Sequence, residues 1–179
     1  MTRKYILTGG PGTGKSSIIL ALEKLGEYTI RESAEDYIKL RQAQGQPTPW
    51  IESNFQLEIL KLQRQRESRI PREIKRVFID RGLADGLAYA TPGSETYKEI
   101  ERAAKQNRYD GIFSIENLGS TEKNGVRREN NEEALRLGRK LEDIYQTLGY
   151  KIIRVPAIGI NERTKLILKN LEEKFGDKK

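Results

Sequence analysis

The chain has no cysteine and no histidine among its 179 residues. That absence removes disulfides, thiol nucleophiles, Cys/His zinc sites and any histidine general base. No apolar run approaches the roughly 18 residues needed to cross a bilayer. The apolar stretch behind Arg3 and Lys4 stops at Gly9, too short for a secretory core, so a cytoplasmic protein is expected. No run of five basic residues occurs although the net charge is +7, so anionic ligands are favoured in general and a dedicated nucleic-acid surface is not. What remains for chemistry is carboxylates, lysine, arginine, hydroxyls, backbone amides and a hard metal such as Mg²⁺. Those are the tools of phosphoryl transfer.

The pattern of apolar residues supplies a frame. Lys4 to Thr8, Tyr28 to Ile30, Val77 to Ile79, Ile112 to Ile115 and Ile152 to Val155 read as strands by length and punctuation. Helical spacing follows from Lys15 to Gly26, from about Ala34, from about Trp50 to Arg69, over 84–90 and 95–107, and over 131–148, where Ala134, Leu137, Leu141, Ile144 and Leu148 share a face. Asn161 is expected to cap a last helix through Phe175. Strands alternating with helices imply a parallel sheet with helices on both faces, here as one α/β domain over 1–179.

The stretch Gly9-Gly10-Pro11-Gly12-Thr13-Gly14-Lys15-Ser16-Ser17 has the spacing of a phosphate-binding loop, with a strand before it and a helix after it. Glycines let backbone N–H groups turn inward around a β-phosphate, and the following helix points its positive dipole end there. Lys15, expected to stand in solvent, would reach the β- and γ-phosphates. Ser16 is a Mg²⁺ ligand candidate and Ser17 would approach the α-phosphate. The implied ligand is ATP or GTP with Mg²⁺.

Three strands end in an acid, Glu32, Asp80 and Glu116, where ligands of open α/β sheets gather. Asp80 closes Val77-Phe78-Ile79 and can hold Mg²⁺ or take a proton from an acceptor hydroxyl. Arg81 would present a fixed cation, Asp85 could orient a substrate hydroxyl, and Glu32 is a second candidate base. Glu116 reads as structural. Arg127 and Arg128 fall in the polar segment 119–131, which reads as a lid over the phosphates. Pro156 to Gly159 would pack a nucleotide base, and Trp50 and Tyr37 would line an acceptor site.

Together, "LTGGPGTGKSS", "RESAEDY", "FQLEILKLQRQRE", "VFIDRGLADGLAY", the arginine pair before "EEALRLGRKLEDIYQTLGY" and "IIRVPAIGINERTKLIL" resemble a P-loop kinase-like family. Its members are AAA-type ATP-binding domains, including the ribosylnicotinamide kinase domain of the bifunctional NAD regulator. The resemblance spans nearly the whole chain. It implies a five-stranded sheet of order 2-3-1-4-5, ATP or GTP with Mg²⁺, and Lys15, Ser16, Asp80, Arg127 and Arg128 at the active site. Three functions remain open: a kinase acting on a small, nucleoside-like hydroxyl compound, a nucleotide-dependent regulatory NTPase, and a polynucleotide or RNA-end kinase.

Overall fold

Along β1 (Arg3–Thr8), Tyr5 and Leu7 point to one buried layer and Ile6 to the other, which requires a sheet covered on both faces. The computed structural model, which describes residues 1–117 and 131–176, has that sheet at its centre. The other strands are β2 (Tyr28–Ile30), β3 (Arg76–Asp80), β4 (Gly111–Ile115) and β5 (Ile152–Val155). All pair in parallel, in the order β2-β3-β1-β4-β5.

Helices α1 (Lys15–Lys24) and α6 (Ile160–Phe175) cover one face, burying Ile18, Leu22, Ile167 and Leu171 on Tyr5, Phe78 and Phe113. On the other face lie α3 (Phe55–Ser68), α4 (Glu95–Gln106) and α5 (Asn131–Thr147), which bring Leu60, Ile100 and Tyr145 onto Ile6, Val77 and Ile79. Each side chain so buried contributes about 1.5–3 kcal/mol of hydrophobic stabilisation. Helix α2 (Ser33–Ala43) packs on α3.

Three expectations need correction. The helix anticipated over Trp50–Arg69 begins at Phe55, because the chain first turns through a short 3₁₀ segment, Pro49–Ile51, and then extends at Glu52 (φ −69°, ψ 135°). The segment expected as a helix over 84–90 is likewise a 3₁₀ turn, Leu83–Ala88. Asn161 does not cap α6: Gly159 holds the cap position and Asn161 lies inside the helix. The expected lid 119–131 lies outside the described residues except for Asn131, which begins α5.

Candidate active site

The carboxyl ends of β1, β2 and β3 meet at one place, and the glycine-rich loop closes over it. Gly14 caps α1 with φ 84°, a left-handed backbone that glycine adopts without strain. Gly10 passes so near the carbonyl of Ala134 that an added Cβ would collide with it. The loop is therefore pressed between the start of α1 and the first turn of α5.

Lys15 is not in solvent. It is 2% exposed, and its ammonium donates to the carbonyls of Gly9 (3.1 Å) and Gly10 (2.8 Å) and to Thr13 Oγ1 (3.2 Å). The reason is physical: a cation at a loop of inward carbonyls finds acceptors there before any phosphate arrives. Thr13 Oγ1 in turn donates to the Gly10 carbonyl.

Asp80 sits directly below. Its Oδ2 accepts from Ser16 Oγ at 3.0 Å, while Oδ1 is buried with no hydrogen-bond partner among the described residues. Burial pushes this carboxyl up to about 6; Lys15 opposes the rise, Glu32 adds to it, and Arg81 and the Ser16 hydrogen bond oppose it. A serine hydroxyl beside a carboxylate with a spare oxygen is a donor set that suits Mg²⁺, which takes few protein ligands and completes its shell with phosphate and water. No cluster of three or more acidic or metal-ligating side chains is present among the described residues.

Arg81 follows with φ 67°, a left-handed conformation that among non-glycine residues in the described chain it alone adopts. That strain swings the side chain back over the strand ends. Its Nε lies 3.2 Å from Glu32 Oε1 and its Nη1 3.2 Å from Asp85 Oδ1. Burial works against the Arg81 charge, but Tyr89, Glu32, Asp85 and Asp80 together hold the guanidinium well above its ordinary range. Glu32 occupies the cap position of α2 without making a side-chain cap bond.

Asp85 borders the open space beside Arg81, and both its carboxylate oxygens have partners within the protein. Oδ1 accepts from Thr8 Oγ1 (2.8 Å) and Arg81, and Oδ2 from Tyr145 OH (2.6 Å) and the Gly82 amide (3.0 Å). It anchors Arg81.

Beside Glu32 and Arg81 opens a cleft of about 730 Å³. Ile38, Trp50, Phe55, Ile59 and Leu137 supply apolar wall, Pro11 of the loop forms one edge, and Gln56, Arg136 and Lys140 stand among them. Trp50 thus lines the cleft. Tyr37 does not; it packs on the Phe55 ring at 5.9 Å between centroids, bracing the wall from behind. Pro156 to Gly159 lie outside the cleft lining, and Ile158 is exposed. Glu116 is exposed, and its carbonyl accepts from Arg163 Nη2 at 3.2 Å. Arg127 and Arg128 fall outside the described residues.

Two features had no signal in the sequence. Arg163 is fully buried and reaches the phosphate loop from α6, donating to the Thr13 carbonyl at 2.6 Å. A polar chain also runs under the cleft: Ser33 donates to Gln63, Gln63 to Glu67, and Tyr109 and Lys4 to the same Glu67. Apart from the Gln63–Glu67 step inside α3, these contacts join residues distant in sequence, so local pattern says nothing about them.

The model of the AAA domain family matches residues 4–163. The chain belongs to that family. No curated protein sequence matches this AAA domain. Among solved structures, it resembles the NadR protein in complex with NAD and AMP-PNP, with TM-score 0.74 and 16% identity over 99% of this chain and 51% of that one. The NadR protein in complex with NR gives TM-score 0.70 at 16% identity, over 99% and 52%. This AAA domain thus spans about half the length of the NadR chains it matches. Deoxyadenosine kinase from M. mycoides with bound dATP gives TM-score 0.59 at 18% identity, over 95% of this chain and 99% of that one. At such identities the likeness establishes the fold, a P-loop NTPase fold of the kind nucleoside kinases have.

Proposed function

We propose that this AAA domain is a phosphotransferase that moves the γ-phosphoryl group of ATP or GTP onto a hydroxyl of a small, nucleoside-like acceptor. One observation carries the reading: Glu32 and Arg81 stand where the phosphate loop meets a cleft with apolar and aromatic walls. A switch that only hydrolyses nucleotide has no use for such a cleft, and the end of a polynucleotide would need an open basic track. The neighbours with kinase names support the same reading.

Residues 9–17 hold the triphosphate through backbone amides, with Lys15 leaving its loop carbonyls for the β- and γ-phosphates. Ser16 and Asp80 hold Mg²⁺, which when bound neutralises phosphate charge. The acceptor hydroxyl attacks the γ-phosphorus; the new O–P bond forms as the bond to the β-bridging oxygen breaks, and the nucleoside diphosphate leaves. Glu32, which lines the cleft beside the Arg81 guanidinium, takes the hydroxyl proton. Asp80, pinned by Ser16, is left to the metal. Arg81 offsets charge on the transferred group.

Incubation with ATP and GTP against a panel of nucleosides, sugars and oligonucleotides, read by mass spectrometry, tests this. The expected product is a nucleoside-class monophosphate. Nucleoside diphosphate and inorganic phosphate alone, with every acceptor, would support the regulatory NTPase instead. Phosphorylated oligonucleotide ends would support the RNA-end kinase.

A further inference from the structure

Arg163 is an arginine with 0% exposure whose hydrogen bonds among the described residues go to no side-chain carboxylate. Taking a guanidinium out of water without a carboxylate beside it is costly. Here the compensation is two backbone carbonyls: Nη1 donates to Thr13 at 2.6 Å and Nη2 to Glu116 at 3.2 Å, while Nε has no partner. Burial pushes the group below its ordinary value, with the Glu116 carboxylate opposing. A core position on α6 would be filled at lower cost by leucine, so the charge is explained by what it grips.

What it grips is one peptide plane of the phosphate loop. A trans peptide points its C=O and its N–H in opposite directions. With the Thr13 carbonyl drawn toward α6, the Gly14 N–H must face away from α6, into the hollow of the loop. Gly14 is the left-handed cap of α1, where a small rotation of that plane would be easy for glycine. Thr13 is 2% exposed and its hydroxyl is tied to the Gly10 carbonyl, so the residue is held at both its ends. The second arm of the guanidinium fixes the loop to the exit of β4. Lysine could supply the charge but not the fork that reaches two carbonyls at once.

We propose that Arg163 is a positioning residue for the phosphate loop, setting the Thr13–Gly14 peptide so that the Gly14 N–H meets the β-phosphate of a bound nucleotide. The proposal rests on the loop binding nucleotide, and the experiment separates the two. ADP binding is measured by calorimetry for the wild type and for Arg163→Lys, well below both melting temperatures. The expected result is an ADP Kd raised about tenfold in the folded variant, the effect of losing one well-aligned charged-group hydrogen bond. A variant with a lowered Tm but an unchanged ADP Kd would reduce Arg163 to a structural role and overturn the inference while leaving the nucleotide reading intact. Wild-type protein that binds no ADP would overturn both. If Arg163→Lys does not fold, the side-chain ¹H–¹⁵N resonances of Arg163 in the wild type decide: a shift on ADP addition is expected, and no shift would overturn the inference.

Discussion

Ser16 donates to one oxygen of Asp80 at 3.0 Å, and the other oxygen of that carboxylate is buried without a hydrogen-bond partner among the described residues. A folded protein that leaves an acceptor this way keeps it for something that arrives later. Asp80→Asn is therefore expected to lower product formation about 10² to 10³-fold, the scale of losing one preorganised electrostatic partner. Nucleotide affinity, held by the loop amides and Lys15, should change less than threefold. Paired calorimetry and product assays check this, and equal losses in both would remove Asp80 from the reacting state.

The same carboxyl makes a prediction about stability without ligand. Its folded value, about 6, stands above the ordinary 3.8, so the folded state holds this proton more tightly than the unfolded state. Its contribution is thus fully present below about pH 4 and is lost as pH rises through about 6. In nucleotide-free, metal-free protein at pH 7.5, Asp80→Asn should be more stable than wild type by on the order of 2–3 kcal/mol. The difference should vanish near pH 4. Urea unfolding across that range measures it, and a variant less stable at pH 7.5 would contradict the sign.

Lys15→Ala should lower turnover about 10² to 10³-fold, since the cation meets charge that develops during transfer. Because its ammonium also ties together Gly9, Gly10 and Thr13, the variant's free loop should exchange its amides faster than the wild type's. Hydrogen exchange without nucleotide reads the second effect. Unchanged protection at Gly10 to Gly14 would mean the buried lysine does not hold the loop.

How far the sequence alone leads can be judged at particular residues. The strands Tyr28–Ile30 and Ile152–Val155 have the bounds that β-prone runs and flanking glycines suggest, because those signals are local. Glu32, Asp80 and Arg81 come together because topology brings strand ends together, so their positions in the chain were enough. Asp85 was legible as an acid one turn on but not as the inward anchor of Arg81, since its partners Thr8 and Tyr145 come from β1 and α5. Lys15 misled because an isolated side chain suggests solvent, whereas a curled loop presents it with carbonyls. Arg163 gave no sign, as its partners lie 150 and 47 residues away.

Tyr145→Phe tests the Asp85 anchor. The phenol donates at 2.6 Å, and burial, with Asp85 nearby, pushes its own ionisation well above the ordinary range, so it is a neutral donor at any working pH. Its removal should cost about 1–3 kcal/mol in urea unfolding, the scale of a buried acceptor losing a partner. A change under about half a kcal/mol would show that Thr8, Arg81 and Gly82 suffice.

Gln56 faces the cleft with no hydrogen-bond partner among the described residues, an unspent amide in a mostly apolar wall. Gln56→Leu should raise the KM for the acceptor about tenfold with kcat changed less than twofold, because the amide binds ground and transition states alike. An unchanged KM would place the acceptor's polar edge elsewhere in the cleft.

Of the five strands of the sheet, the central one, β1, comes before the other four in the chain. β1 pairs with β3, whose partners lie more than seventy residues downstream, and with β4, more than a hundred downstream. Closing chain segments of that length delays productive folding, since the ordering entropy is lost before the contacts that offset it form. On the ribosome, the glycine-rich loop behind β1 therefore emerges before its walls, which are complete only once β4, the start of α5 and Arg163 of α6 have followed it out. Nucleotide can then stabilise the late, assembled state of this chain and has little to hold in the early ones.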